Sequence, residues 1–146
     1  MLLDLTIGGR QRKVIVQASK NGFFHVLDRV TGEFMSAAPF VKVTLATGHD
    51  EKGRPIVNPE AYDDNDPTGV EIYPTGGGAH NWSPMSYNPA TGLVYILAFY
   101  MSFPYEAMDE LKPKSTGYVR PTGELRKPTE SIGPSAPDGV RGGLQA

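Results

Sequence analysis

Short runs of apolar and β-branched residues recur along the first third of the chain, and turn residues separate them. Gly8-Gly9 and Asn21-Gly22 are pairs that favour two-residue hairpin turns, because these residues tolerate the left-handed backbone conformations that such turns need. The pattern predicts a meander of four short strands, which is the unit of a propeller blade or of a small sheet. The predicted strands are 2–7, 12–17, 23–28 and 33–37.

The segment that follows is less regular. Residues 41–45 carry β-branched residues in a pattern that predicts an edge strand, and residues 49–55 are typical of a surface turn. An acidic run between residues 61 and 69 matches part of a calcium-binding EF-hand loop, but Thr75 stands where that loop needs its bidentate glutamate. A solvated acidic loop is therefore the favoured interpretation, and no metal ligand is predicted in this chain.

A second hairpin is predicted at 85–99, and its turn repeats one from the first third. Asp28 to Gly32 and Asn88 to Gly92 both have Asp or Asn followed three residues later by Thr-Gly, and a predicted strand lies on either side of each. Two copies of one turn, about 60 residues apart, indicate a repeat architecture with an inserted segment.

The last third follows a different pattern. Residues 101–141 are predicted to be an irregular, proline-rich connection, because prolines recur along them and interrupt regular elements. Residues 142–146 have the pattern of a strand that is cut off. The predicted division is therefore about two blades over residues 1–100, with an inserted loop at 46–80, then the connection and the truncated strand. We expect the chain to be a piece of a longer protein.

Composition removes several classes of function. The 146 residues include no cysteine, which excludes disulfides, zinc–thiolate sites and thiol nucleophiles. A formal charge of −2 argues against a nucleic-acid partner, which requires a basic excess. No apolar run is long enough to span a bilayer, and the first residues lack the features of a signal peptide.

Candidate binding residues lie directly after a run of three glycines at 76–78. Asn81 can donate and accept hydrogen bonds, and Trp82, the only tryptophan, offers a flat aromatic face. Because glycine lets the backbone come close to a ligand, the stretch suits a planar, polar ligand. The alternative is a glycine turn before a strand with a core tryptophan, and residue types alone favour it.

Three segments resemble a signature of the quinoprotein alcohol dehydrogenases, which use pyrroloquinoline quinone (PQQ). They are residues 17–29, 46–61 and 80–87, in the order in which the family has them. The final residues, Gly142 to Ala146, resemble the start of the family's next blade. The chain departs from the family pattern at Ser83, where histidine is common, and at Leu45, where tryptophan is common.

The resemblance implies an all-β fold: about two blades of an eight-bladed β-propeller built from four-stranded antiparallel sheets. PQQ and a calcium or lanthanide ion would lie in the central funnel. Members of the family are periplasmic, oxidise an alcohol by hydride transfer to PQQ with the metal ion as Lewis acid, and pass electrons to a cytochrome. By position, Lys20 would reach the quinone oxygens, and Asn81 and Trp82 would contact the cofactor.

The rest of the family's active site has no counterpart in this sequence. The catalytic aspartate, the metal ligands and the tryptophan that stacks on the quinone are expected upstream of Met1. The chain would therefore supply one wall of a PQQ site, require the remaining blades and be inactive alone. Two alternatives stay open: a non-catalytic β-rich segment that binds a partner through its sheet edges, and a propeller relative that keeps the scaffold without the cofactor.

Overall fold

A computed structural model describes residues 1–62, 70–105 and 142–145. This part of the chain is built from short strands and one turn of 3-10 helix at Pro59–Tyr62. Among these residues no helix has the length and apolar character to cross a membrane. The strands are β1 Leu2–Ile7, β2 Arg10–Ala18, β3 Phe23–Asp28, β4 Phe34–Pro39, β5 Ala46–His49, β6 Pro55–Val57, β7 Val70–Ile72, β8 Ser86–Asn88, β9 Leu93–Phe99, β10 Phe103–Tyr105 and β11 Gly142–Gln145.

The first four strands form one antiparallel sheet in the order β1-β2-β3-β4, as predicted. Gly8 and Gly9 connect β1 to β2 with φ angles of 57° and 76°, in the region where a side chain would be strained. On β2, Val14, Val16 and Ala18 point to the interior and are 0%, 2% and 3% exposed. This period of two packs one face of the sheet, and each buried valine contributes about 1.5–3 kcal/mol.

A second sheet has the order β11-β9-β8. The predicted hairpin at 85–99 supplies β8 and β9, which pair antiparallel. The strand predicted at the end of the chain also forms, and it lies antiparallel to β9 with Gly142 opposite Phe99. It therefore joins the sheet of the second hairpin instead of starting a separate one.

The turn that recurs in the sequence also recurs in the structure. The side chains of Asp28 and Asn88 each accept a hydrogen bond from the backbone N–H two residues later, at 2.8 and 2.9 Å. Their backbone carbonyls accept from the N–H groups of Gly32 and Gly92, both at 2.9 Å. Both glycines have positive φ, 77° and 72°. The sequence repeat thus corresponds to one turn geometry that ends a strand in each sheet.

The prediction of a strand at 41–45 is wrong. Val41 and Val43 lie against the turn between β2 and β3, where a Cβ added to Gly22 would be 2.9 and 2.7 Å from their Cγ2 atoms. The backbone N–H of Thr44 bonds to the carbonyl of Tyr73 at 2.9 Å. The β-branched side chains therefore pack against a turn and do not belong to a paired strand. The neighbouring residues pair instead, as β5 with β6, around the turn predicted at 49–55.

Two further sequence predictions fall partly or wholly outside the described residues. The acidic run is one, since the structure describes the chain only up to residue 62 and again from residue 70. The connection predicted at 101–141 is the other. Its first residues form β10, which pairs antiparallel with β7, and residues 106–141 lie outside the described part.

Candidate cofactor-binding site

The turn between β2 and β3 presents Lys20 at its tip. The backbone N–H of Gly22 donates to the carbonyl of Ser19 at 3.1 Å, and Gly22 has a φ of 86°. The side chain of Asn21 accepts a hydrogen bond from the N–H of Phe23 at 3.1 Å. These bonds fix the turn on both sides of Lys20, and its side chain is exposed.

The glycine run packs directly against this turn. The N–H of Ala79 donates to the backbone carbonyl of Lys20 at 2.9 Å. A Cβ placed on Gly78 would be 2.7 Å from both Cβ and Cγ of Lys20 and 2.9 Å from its Cα. Gly78 also has a φ of 88°, so both the space and the backbone conformation require glycine. Lys20 and the loop after the glycines are therefore held together.

Hydrogen bonds tie the glycine loop to β9. The carbonyl of Ala79 accepts from the N–H of Phe99 at 2.8 Å. His80 is only 4% exposed, and its Nδ1 lies 2.8 Å from the carbonyl of Leu97. Since a carbonyl oxygen only accepts, Nδ1 of His80 carries the hydrogen. His80 thus ties the glycine loop to β9.

Asn81 and Trp82 follow this anchor, with Asn81 half-buried and Trp82 exposed. Trp82 is 89% exposed, so the alternative of a core tryptophan is wrong for this chain. Asn81 donates from Nδ2 to the carbonyl of Gly77 at 3.2 Å, and its amide oxygen makes no hydrogen bond to a described residue. An exposed indole face and an ammonium group on the adjoining turn fit a planar ligand that carries negative oxygens, and the amide oxygen of Asn81 can accept a hydrogen bond from an N–H group of such a ligand.

The structure therefore brings the turn of Lys20 into contact with the loop of Asn81 and Trp82. The sequence placed these residues about 60 positions apart, and only the family resemblance connected them. Among the described residues, no group of three or more histidine, cysteine, aspartate or glutamate side chains is close enough to hold a metal ion.

Sequence reasoning missed a pair of histidines beside this site. His25 on β3 and His49 on β5 meet with their Nε2 atoms 3.3 Å apart. Burial lowers the pKa of His25, and the neighbouring His49 lowers it further. No spacing rule connects the two positions, because one lies in the first sheet and the other in the hairpin that follows it.

No family model matches the chain. It is 49% identical, over 112 residues, to the quinohemoprotein alcohol dehydrogenase of Comamonas testosteroni. The same chain is 50% identical, over 99 residues, to the 1-butanol dehydrogenase (cytochrome c) of Thauera butanivorans. A solved structure of a quinohemoprotein alcohol dehydrogenase from Pseudomonas putida superposes with a TM-score of 0.72 at 47% identity. The chain matches a segment of the quinoprotein alcohol dehydrogenases.

The chain corresponds to a small part of the length of these relatives. The alignment with the Comamonas testosteroni enzyme covers 77% of the chain and 15% of the relative, and that with the butanol dehydrogenase covers 67% and 14%. The Pseudomonas putida structure is matched over 81% of this chain and 17% of its own. A europium-containing methanol dehydrogenase gives a TM-score of 0.66 at 34% identity, over 81% and 20%. The fold is thus all-β and matches part of a quinoprotein propeller.

Proposed function

We propose that this chain forms one wall of the PQQ site of an alcohol dehydrogenase. The observation that carries the proposal is the packing of the Lys20 turn on the glycine loop, with the N–H of Ala79 bonded to the carbonyl of Lys20. That contact ties the turn of Lys20 to the loop that continues into Asn81 and Trp82, which supports a shared role for these three residues. The names of the relatives, which are quinohemoprotein and cytochrome c-linked alcohol dehydrogenases, support the same reaction class.

PQQ, when bound, would accept a hydride from the alcohol carbon, with a calcium or lanthanide ion as Lewis acid held by residues outside this chain. Lys20 would place its ammonium group toward the quinone oxygens, where negative charge develops during the reaction. Asn81 would bond to the cofactor's polar edge through its amide. Trp82 would cover part of the ring and exclude water. Lys20 and Trp82 are exposed and Asn81 is half-buried, which supports these roles.

The remaining partners follow from the family. We propose that electrons pass to a cytochrome, that the protein acts in the periplasm, and that further blades close the ring around the cofactor. The catalytic aspartate and the metal ligands would come from those blades. The name of the europium-containing methanol dehydrogenase supports a metal ion in this class of site.

A second candidate is a non-catalytic role as a propeller segment that binds another segment or a partner. Large apolar side chains on several strands favour it, since Leu2 is 65% exposed, Leu97 39% and Phe99 36%. The outer edges of β1 and β4 also have no partner strand among the described residues, and such edges pair readily with further strands. This role is compatible with the enzymatic one if the partner is the rest of the propeller.

A chimera tests the enzymatic proposal. The chain replaces its homologous segment in the Comamonas testosteroni relative, and alcohol oxidation is measured with added PQQ and calcium. We expect activity in the chimera and a loss of about 10²-fold in kcat for Lys20→Ala, the usual size of a lost charge-stabilising donor. Lys52→Ala, on the exposed turn between β5 and β6, is the matched control and should leave kcat unchanged. A folded, PQQ-loaded chimera that is equally active with and without Lys20 would contradict the proposal.

A further inference from the structure

A histidine pair joins the first sheet to the β5–β6 hairpin. The Nε2 atoms of His25 and His49 are 3.3 Å apart. Their ring centroids are 5.0 Å apart, and the ring planes are nearly perpendicular, at 89°. Both side chains are half-buried, which leaves solvent access to the pair.

The surroundings orient the two rings. The Nδ1 of His25 lies 3.1 Å from the hydroxyl of Ser19, which leaves its Nε2 directed at the other ring. The edge of Phe23 packs on the ring of His49 with centroids 4.6 Å apart, and Phe34 stacks on that ring at 5.9 Å. A histidine whose second nitrogen bonds to an oxygen and whose ring is held by packing is the usual arrangement of a metal ligand.

The pair is electrically suited to a cation. In the described part of the chain no carboxylate, thiol or third histidine joins the two rings to form a larger cluster, so two imidazoles are the protein ligands on offer. The lone pair on each Nε2 is the group that a neutral imidazole offers to a metal ion.

The distances match coordination of one ion. The two Nε2 atoms are 3.3 Å apart. If an ion lay about 2.05 Å from each of them, the usual zinc–imidazole distance, the N–ion–N angle would be about 107°. That angle is close to tetrahedral. If each ring points at the ion along its own axis, the two centroids should be about 5 Å apart, and they are 5.0 Å apart.

We propose that His25 and His49 form a site for a divalent transition-metal ion such as Zn²⁺, Ni²⁺ or Cu²⁺. Two imidazoles supply the protein ligands, and water fills the other positions. Imidazole selects these ions over calcium and magnesium, which prefer oxygen. This proposal does not rest on the proposed function. Bound metal would cross-link β3 to the β5–β6 hairpin.

The buried Nδ1 of His49 limits the affinity. This atom has no hydrogen-bond partner among the residues that the structure describes, and metal binding at Nε2 requires Nδ1 to carry a hydrogen. A buried donor without an acceptor costs about 1–3 kcal/mol. A water or a neighbouring blade that bonds to this nitrogen would remove the cost, so the site is weaker than one in which both ligands have an oxygen partner.

Titration of the full chain with NiCl₂ at pH 7.5 tests the site. Calorimetry measures the binding, and the unfolding temperature measures its effect on stability. His25→Asn and His49→Asn remove Nε2 and retain a polar group near the position of Nδ1. His80→Asn, the matched control, keeps a donor for the carbonyl of Leu97. We expect one ion per chain in the wild type and in His80→Asn, with a rise in unfolding temperature. Binding should weaken at least tenfold in the other two variants.

Three results would overturn the proposal. The first is the absence of saturable binding by the folded chain up to about a hundredfold molar excess of nickel. The second is a nickel affinity of His25→Asn equal to that of the wild type. The third is an affinity of the wild type in urea, where only unfolded histidines could bind, equal to that of the folded chain. With Cu²⁺ in place of nickel, electron paramagnetic resonance should show hyperfine coupling to two imidazole nitrogens. This signal identifies the ligands even if one variant fails to fold.

Discussion

At the scale of single residues, the most informative contact is that of Gly78 with Lys20. The glycine is needed twice, once for its φ of 88° and once because a Cβ would be 2.7 Å from the lysine side chain. A sequence shows a glycine run, but it does not show which of the glycines touches a residue about 60 positions away. The neighbouring Gly77 has no such restriction, since its nearest contact is the hydroxyl of Thr75 at 3.4 Å.

This difference gives a prediction for two neighbouring alanine substitutions. Gly78→Ala should lower the free energy of unfolding by about 1–2 kcal/mol from the backbone alone and displace Lys20, which should weaken PQQ binding about tenfold in the chimera. Gly77→Ala should change neither quantity by more than about 0.5 kcal/mol. Urea unfolding and PQQ titration measure both effects. Equal behaviour of the two variants would show that Gly78 does not position Lys20.

At the scale of elements, the alternation of apolar and polar residues predicted those strands that are bounded by recognisable turn sequences. The Asp28 and Asn88 turns could be identified because their hydrogen bonds lie within five residues. The prediction failed at Val41 and Val43, whose β-branched side chains pack on the turn at Gly22. A local sequence pattern predicts that a side chain packs against other residues, but it does not predict which residues these are. For the same reason the meeting of β3 with β5 at His25 and His49 had no sequence signal.

The histidine pair predicts how stability depends on pH. The pKa of His25 is below its ordinary value of 6.5 in the folded chain, so between these two values the unfolded chain binds more protons. The contribution of neutral His25 to the free energy of unfolding should therefore be fully present above pH 6.5. It should fall as the pH is lowered through 6.5 toward the folded-state pKa. Urea midpoints from pH 8 to pH 5 measure this, in metal-free buffer.

His25→Asn provides the control for that experiment, because it should flatten this part of the profile. Asp28 does not interfere. Hydrogen bonds from the backbone N–H groups of Val30 and Thr31 lower its pKa below 3.8, so its contribution is lost only at much lower pH. An unchanged slope between pH 7 and pH 5 in the variant would assign the effect to another group.

At the scale of the whole molecule, the sequence predicted an all-β chain and, through the family resemblance, part of a propeller. Hydrophobic pattern alone did not separate a blade from a small sheet, because both contain the same meander. The candidate site was predictable only as residues that match a family signature, namely Lys20, Asn81 and Trp82. Their proximity and the 89% exposure of Trp82 depend on how the inserted segment folds back, which no local signal encodes.

We propose that the Lys20 turn and the glycine loop form one cofactor-binding surface. A titration of the chain with PQQ in the presence of calcium tests it most directly, with the fluorescence of Trp82, the only tryptophan, as the signal. We predict saturable quenching that weakens about tenfold in Lys20→Ala and in Asn81→Ala and is unchanged in Lys52→Ala. Quenching by a folded chain that is equal in all four proteins, or absent, would contradict the account.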